Sequence, residues 1–168
     1  VNSNTGIATV FGTTISTTTS LAKDPEQNRI YYYYGSPIRV AYYDLDTNTN
    51  TLLPTIGPAL GTIYRAAFDH LGNLYLLRNN PRELYSVNKT TGQLTLLGTI
   101  TVGVLPGTGT GDIAFPPNDN TYFYVGATTG LFRVNRTTLV SNHLGNLTIS
   151  GNLDGLGFDS QGNLFAST

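Results

Sequence analysis

The chain has 168 residues, no cysteine, a formal net charge of −1 and only 11% charged residues. That length buries a core without covalent staples, and the missing thiols exclude disulfides and thiolate metal sites. A near-neutral chain has no basic face to neutralise phosphates, so nucleic acid is excluded as a partner, and no apolar run reaches the roughly 20 residues that span a bilayer. Few charges with abundant Thr, Asn, Gly and Tyr suit an extracellular or cell-surface β protein.

In chain order, residues 1–12 read as a single detached strand, because Val1-Asn2-Ser3-Asn4-Thr5-Gly6 returns, shifted by 86 positions, as Val87-Asn88-Lys89-Thr90-Thr91-Gly92. Residues 13–57 then contain strands at Ile30–Tyr34 and Val40–Leu45. Residues 58–100 give a strand ending in Ala67-Phe68-Asp69, then Leu74–Leu77, Glu83–Val87 and Gln93–Leu97. Residues 101–149 repeat the order with Ala114-Phe115, Tyr122–Val125 and Leu131–Val134, and residues 150–168 start it again with Gly157-Phe158-Asp159 and Leu164. Between the first two strands of a unit, Asp69-His70-Leu71-Gly72-Asn73 and Asp159-Ser160-Gln161-Gly162-Asn163 place Gly where a turn needs positive φ. Phe68 to Phe115 is 47 residues, Phe115 to Phe158 is 43, and Lys23 stands 45 before Phe68, so the period is about 45. Four short antiparallel strands per period predict an all-β, propeller-like array: three full four-stranded blades and a split fourth.

Phe68-Asp69-x-x-Gly72-Asn73-Leu74-Tyr75 and Leu84-Tyr85-x-Val87-Asn88-x-Thr90-Thr91-Gly92 carry a resemblance over essentially the whole chain. In these motifs the chain resembles the repeat β-propellers of bacterial secreted and surface proteins, and more distantly the NHL and senescence-marker-type propellers. The resemblance implies a structure more than an activity, since propellers serve as enzymes, lectins, scaffolds and adhesins. Such families close with six or seven blades, and this chain supplies fewer than four.

Candidate chemistry is sparse. The two histidines, His70 and His143, each sit beside a turn without a carboxylate and nucleophile to complete a catalytic set, so no catalytic residue is expected. Arg65, Asp112 and Asp154 fall at the entrance of their first strands and form a candidate axial site, too mixed in charge for a metal; no metal or cofactor is expected. Asp44 and Asp46 are expected to cap the following turn. Tyr31, Tyr32, Tyr33 and Tyr34, with Tyr42 and Tyr43 on the neighbouring strand, must divide between two faces. One face would pack between blades; the other is a candidate glycan or partner surface. Three sequons, at Asn88, Asn135 and Asn146, are candidate glycosylation sites in exposed turns.

An unfinished sheet at the tail and a spare strand at the head lead to one expectation for the whole: a non-catalytic extracellular subunit that assembles with itself head to tail by strand complementation into a fibre, sheath or layer. A carbohydrate-binding propeller and a segment of a larger propeller are the alternatives.

Overall fold

A computed structural model describes residues 12–18, 20–60, 63–79, 81–101, 111–127, 130–146 and 153–167. Strands make up all the regular structure of these residues, and they form successive antiparallel sheets. The first sheet contains β1 (Leu21–Lys23), β2 (Arg29–Tyr34), β3 (Arg39–Asp44) and β4 (Thr49–Ile56), hydrogen-bonded in chain order. The second has β5 (Ile63–Phe68), β6 (Leu74–Arg78), β7 (Glu83–Val87) and β8 (Leu94–Thr99). The third has β9 (Gly111–Ala114), β10 (Tyr122–Ala127), β11 (Gly130–Asn135) and β12 (Ser141–Gly145). The fourth consists, among the described residues, of β13 (Gly155–Phe158) and β14 (Leu164–Ser167).

The inner strands β1, β5, β9 and β13 lie side by side in that order, which makes the sheets a propeller-like array of blades. The strand expected at residues 1–12 lies outside the described residues apart from Gly12.

Local sequence explains each meander. Gly72 and Gly162 adopt φ of 74° and 87° at the tips of the β5–β6 and β13–β14 turns, conformations that cost a residue with a Cβ. The two Asn-x-Thr-Thr turns are closed from within: Asn88 Oδ1 accepts from the amides of Thr90 and Thr91, and Asn135 Oδ1 from those of Thr137 and Thr138. Asp44 does the same for Asp46 and Thr47 as expected, whereas the Asp46 carboxylate accepts from Asn28 Nδ2 and links this turn to the one between β1 and β2.

Cores form between blades. Tyr31, Tyr33, Val40 and Leu53 of the first sheet pack with Leu74, Leu76, Tyr85 and Val87 of the second. Tyr75, Leu77 and Leu84 of the second pack with Ile113, Phe123, Val125 and Val134 of the third. Each such side chain stabilises by about 1.5–3 kcal/mol on burial. At the last junction Leu153, fully buried, fills a hollow over Gly126 that an added Cβ would close.

Candidate functional site

The second tyrosine face is occupied rather than open. Tyr32 and Tyr43 are buried with Ala41 on the side of the first sheet that faces away from the second. Residues 12–18 cover them: the Ile15 amide donates to the Tyr32 hydroxyl at 3.1 Å, Asn50 Nδ2 donates to the Thr13 carbonyl at 2.8 Å, and Gly12 leaves no room for a Cβ beside the Tyr43 ring. This is the face that the sequence offers as a candidate glycan or partner surface, since strand alternation reports two faces but not what lies on them. Tyr31 and Tyr33 are buried against the second sheet, and Tyr42, half-buried, carries the Arg29 guanidinium 4.4 Å above its ring. Tyr34, also half-buried, stacks on Tyr32 at 6.4 Å.

The axial candidates come together in part. Arg65 is buried on β5 and donates from Nη1 to Asn79 Oδ1 at 3.3 Å. Burial works against its charge, and Asp112 in the adjoining sheet works the other way. Asp112 is held above the usual carboxylate range by its own burial, opposed by the Leu156 and Ile113 amides and by Arg65. Its Oδ2 accepts from the Leu156 amide at 3.0 Å and so ties the third sheet to the fourth. Asp154 is exposed and takes no part in this contact, while its amide donates to the Ser167 carbonyl. Among the described residues no three acidic or histidine side chains gather in a way that could hold a metal ion. The imidazole of His143 lies against Phe132 at 4.9 Å.

Of the sequon asparagines, Asn88 and Asn146 are exposed and Asn135 is half-buried. Because Oδ1 of Asn88 and Asn135 makes the turn bonds, the side-chain nitrogen is the atom left for modification.

The most developed chemistry joins the blades, through contacts that strand and turn patterns in the sequence do not reveal. Tyr31 meets Phe68 of the next sheet at 5.5 Å, Tyr75 meets Phe115 at 4.8 Å, and Tyr124 meets Phe158 at 5.3 Å. A cation from the following blade seals each of the first two junctions. Lys89 lies 5.5 Å from the Phe68 ring centre and donates to Asp24 at 3.0 Å and Glu26 at 3.2 Å. Arg136 sits 5.1 Å from the Phe115 centre and 5.2 Å from that of Tyr75, and donates to Asp69 at 2.7 Å. Both carboxylates, Asp24 and Asp69, are fully buried, so the pairing satisfies groups that would otherwise be costly. For Asp69, burial pushes the carboxyl upward, but the bonds from Arg136 and Asn73 outweigh it and hold the group below its ordinary value. The signal available in the sequence was the basic residue after Asn88 and Asn135, set against an Asp in the preceding unit's first turn.

These features define interfaces between sheets. No protein-family model and no curated protein matches the chain. Among solved structures, a Bacteroides thetaiotaomicron protein of unknown function matches with a TM-score of 0.67 and 17% identity over 87% of this chain and 41% of its own. Hydrazine synthase of Kuenenia stuttgartiensis matches at 0.56 and 16%, over 95% of this chain and 45% of its own. The extracellular domain of a hybrid two-component system of B. thetaiotaomicron matches at 0.52 and 16%, over 87% of this chain and 19% of its own. The chain thus spans less than half the length of each, and at these identities the likeness is one of fold.

Proposed function

We propose that this chain is a non-catalytic structural module, a propeller-like array that assembles head to tail by adding β-structure to its last sheet, and that builds an extracellular fibre, sheath or surface layer. In this reading residues 1–12 of one copy supply a strand to the next, and glycans on the sequon turns shield a surface poor in charge. The observation that carries it is the state of the fourth sheet. Among the described residues it has two strands where the others have four, and its Phe165 ring is 61% exposed. An apolar edge of this kind recruits another strand or sheet unless something covers it. Electron microscopy of the purified chain, with sedimentation across a concentration series, tests it. Fibres, layers or concentration-dependent oligomers are expected; a monodisperse monomer at high concentration would sink the reading.

A second reading follows from the comparisons. The chain spans 41% and 45% of its first two structural neighbours, so further blades of a larger propeller are the other source of cover for the fourth sheet. In that case the isolated chain stays monomeric and binds a segment that continues the array.

A further inference from the structure

The three aromatic junctions share one register. Tyr31, Tyr75 and Tyr124 stand opposite Ala22, Ala67 and Ala114 of their own sheets. Phe165 is the fourth member, opposite Gly157, which precedes Phe158 just as Ala67 precedes Phe68. Asp159 likewise rebuilds the Asp69 turn. Its Oδ1 accepts from the amides of Gln161 and Asn163, and its Oδ2 from Asn163 Nδ2, as Asp69 does with Leu71 and Asn73. Asp69 Oδ2 additionally holds Arg136; among the described residues no cation pairs with Asp159. Phe165 and Asp159 are therefore half of a junction whose other half is known from two examples within the molecule.

A fitting half lies on β1. Lys23 is paired with Ile30 as Phe68 is with Leu74, so a lysine stands where later blades have the junction Phe. Leu45 follows the turn-capping Asp44, so a leucine stands where later blades have Lys89 and Arg136. Cation and apolar group have exchanged places. At the first junction the Phe68 centre is 5.5 Å from Tyr31 and 5.5 Å from the Lys89 ammonium. A lysine stem in the place of Phe68 would cover an aromatic ring and carry its charge toward the carboxylate. Lys23 is exposed, with its ammonium donating to the Asp24 and Gln27 carbonyls at 2.7 Å each, and Leu21 on the same face is 58% exposed. Residues 12–18 already cover the part of this face holding Tyr32 and Tyr43, which leaves Leu21 and Lys23 along β1 exposed.

We propose that the β13–β14 face of one copy packs on the β1 face of a second copy, with Phe165 against Leu21 and the Lys23 stem and the Lys23 ammonium on Asp159 Oδ2. This rests on the head-to-tail reading and specifies its contact.

The absence of native cysteine permits a direct test on the full chain. Leu21→Cys and Phe165→Cys proteins are mixed under mild oxidation, and the expected product is a mixed disulfide dimer that outpaces either homodimer. In parallel, Lys23→Glu and Asp159→Lys should each weaken self-association about tenfold or more in Kd by sedimentation equilibrium, and mixing the two should restore it. Asp159→Asn, which keeps an oxygen for the turn, guards against a folding defect and should weaken association without lowering the unfolding midpoint. An unmodified chain that associates while the charge variants change nothing and cross-linking is unselective overturns this contact alone. An unmodified chain that stays monomeric, with no mixed dimer from the two cysteine variants, overturns the self-assembly reading along with it.

Discussion

Arg136 donates from Nη2 to Asp69 Oδ2 at 2.7 Å and to the Tyr75 hydroxyl at 2.6 Å, bridging the second and third sheets through one guanidinium. Asp69 has no solvent-exposed side-chain surface, so loss of the cation strands a buried carboxylate. Arg136→Ala is expected to cost about 3 kcal/mol of unfolding free energy. Lys89→Ala should cost somewhat less, about 2–3 kcal/mol: it too strands a fully buried carboxylate, Asp24, but Lys89 makes no counterpart of the bond from Arg136 to the Tyr75 hydroxyl. Urea unfolding of the two variants checks the order.

The fourth sheet should open first. Its junction has the Tyr124–Phe158 contact, the Leu153 plug and the bond from the Leu156 amide to Asp112, but Pro116 stands where the first two junctions have a buried Asp, and among the described residues no ion pair reinforces it. Native-state hydrogen exchange should show the amides of β13 and β14 opening at a lower free energy than those of β6 and β7. Equal protection of both would refute this.

Two glycines in the same turn conformation should tolerate alanine differently. At Gly162 an added Cβ meets nothing within 4 Å, so Gly162→Ala pays only for a left-handed conformation, about 1 kcal/mol. At Gly72 the Cβ would also displace the Glu26 carboxylate, an exposed side-chain end that pairs with Lys89 across the first junction. Gly72→Ala should therefore be the more destabilising, by thermal or urea unfolding.

Alkaline stability should depend on Tyr85. Burial, with the Glu83 carboxylate accepting its proton at 2.6 Å, pushes the Tyr85 hydroxyl from 10.0 up to about 12. A group raised on folding contributes fully below its unfolded value, so the contribution stands below pH 10 and disappears as the pH rises to about 12. Tyr85→Phe should cost about 1 kcal/mol at neutral pH and remove about one proton from the pH dependence between these values. Stability measured at several alkaline pH values decides it.

Much of the fold was legible because turn chemistry and period agree. Glu83–Val87 appears as read, while Leu74–Leu77, Tyr122–Val125 and Leu131–Val134 each extend by one or two residues. The Tyr31–Tyr34 run was legible as a strand but not in its surroundings, since nothing local to β2 encodes that residues 12–18 return across Tyr32. The cationic clamps were illegible for a related reason. Lys89 and Asp24 lie 65 residues apart, Arg136 and Asp69 lie 67 apart, and their meeting depends on how neighbouring turns stack, which strand patterning does not report.

Because each junction ring touches the sheet that follows it, the array carries its own length gauge. Duplication or loss of one complete unit would leave every other aromatic step intact, whereas a change of half a unit would part a ring from the sheet it packs on. Growth by whole copies is thus the path along which this architecture can change size without inventing a new interface.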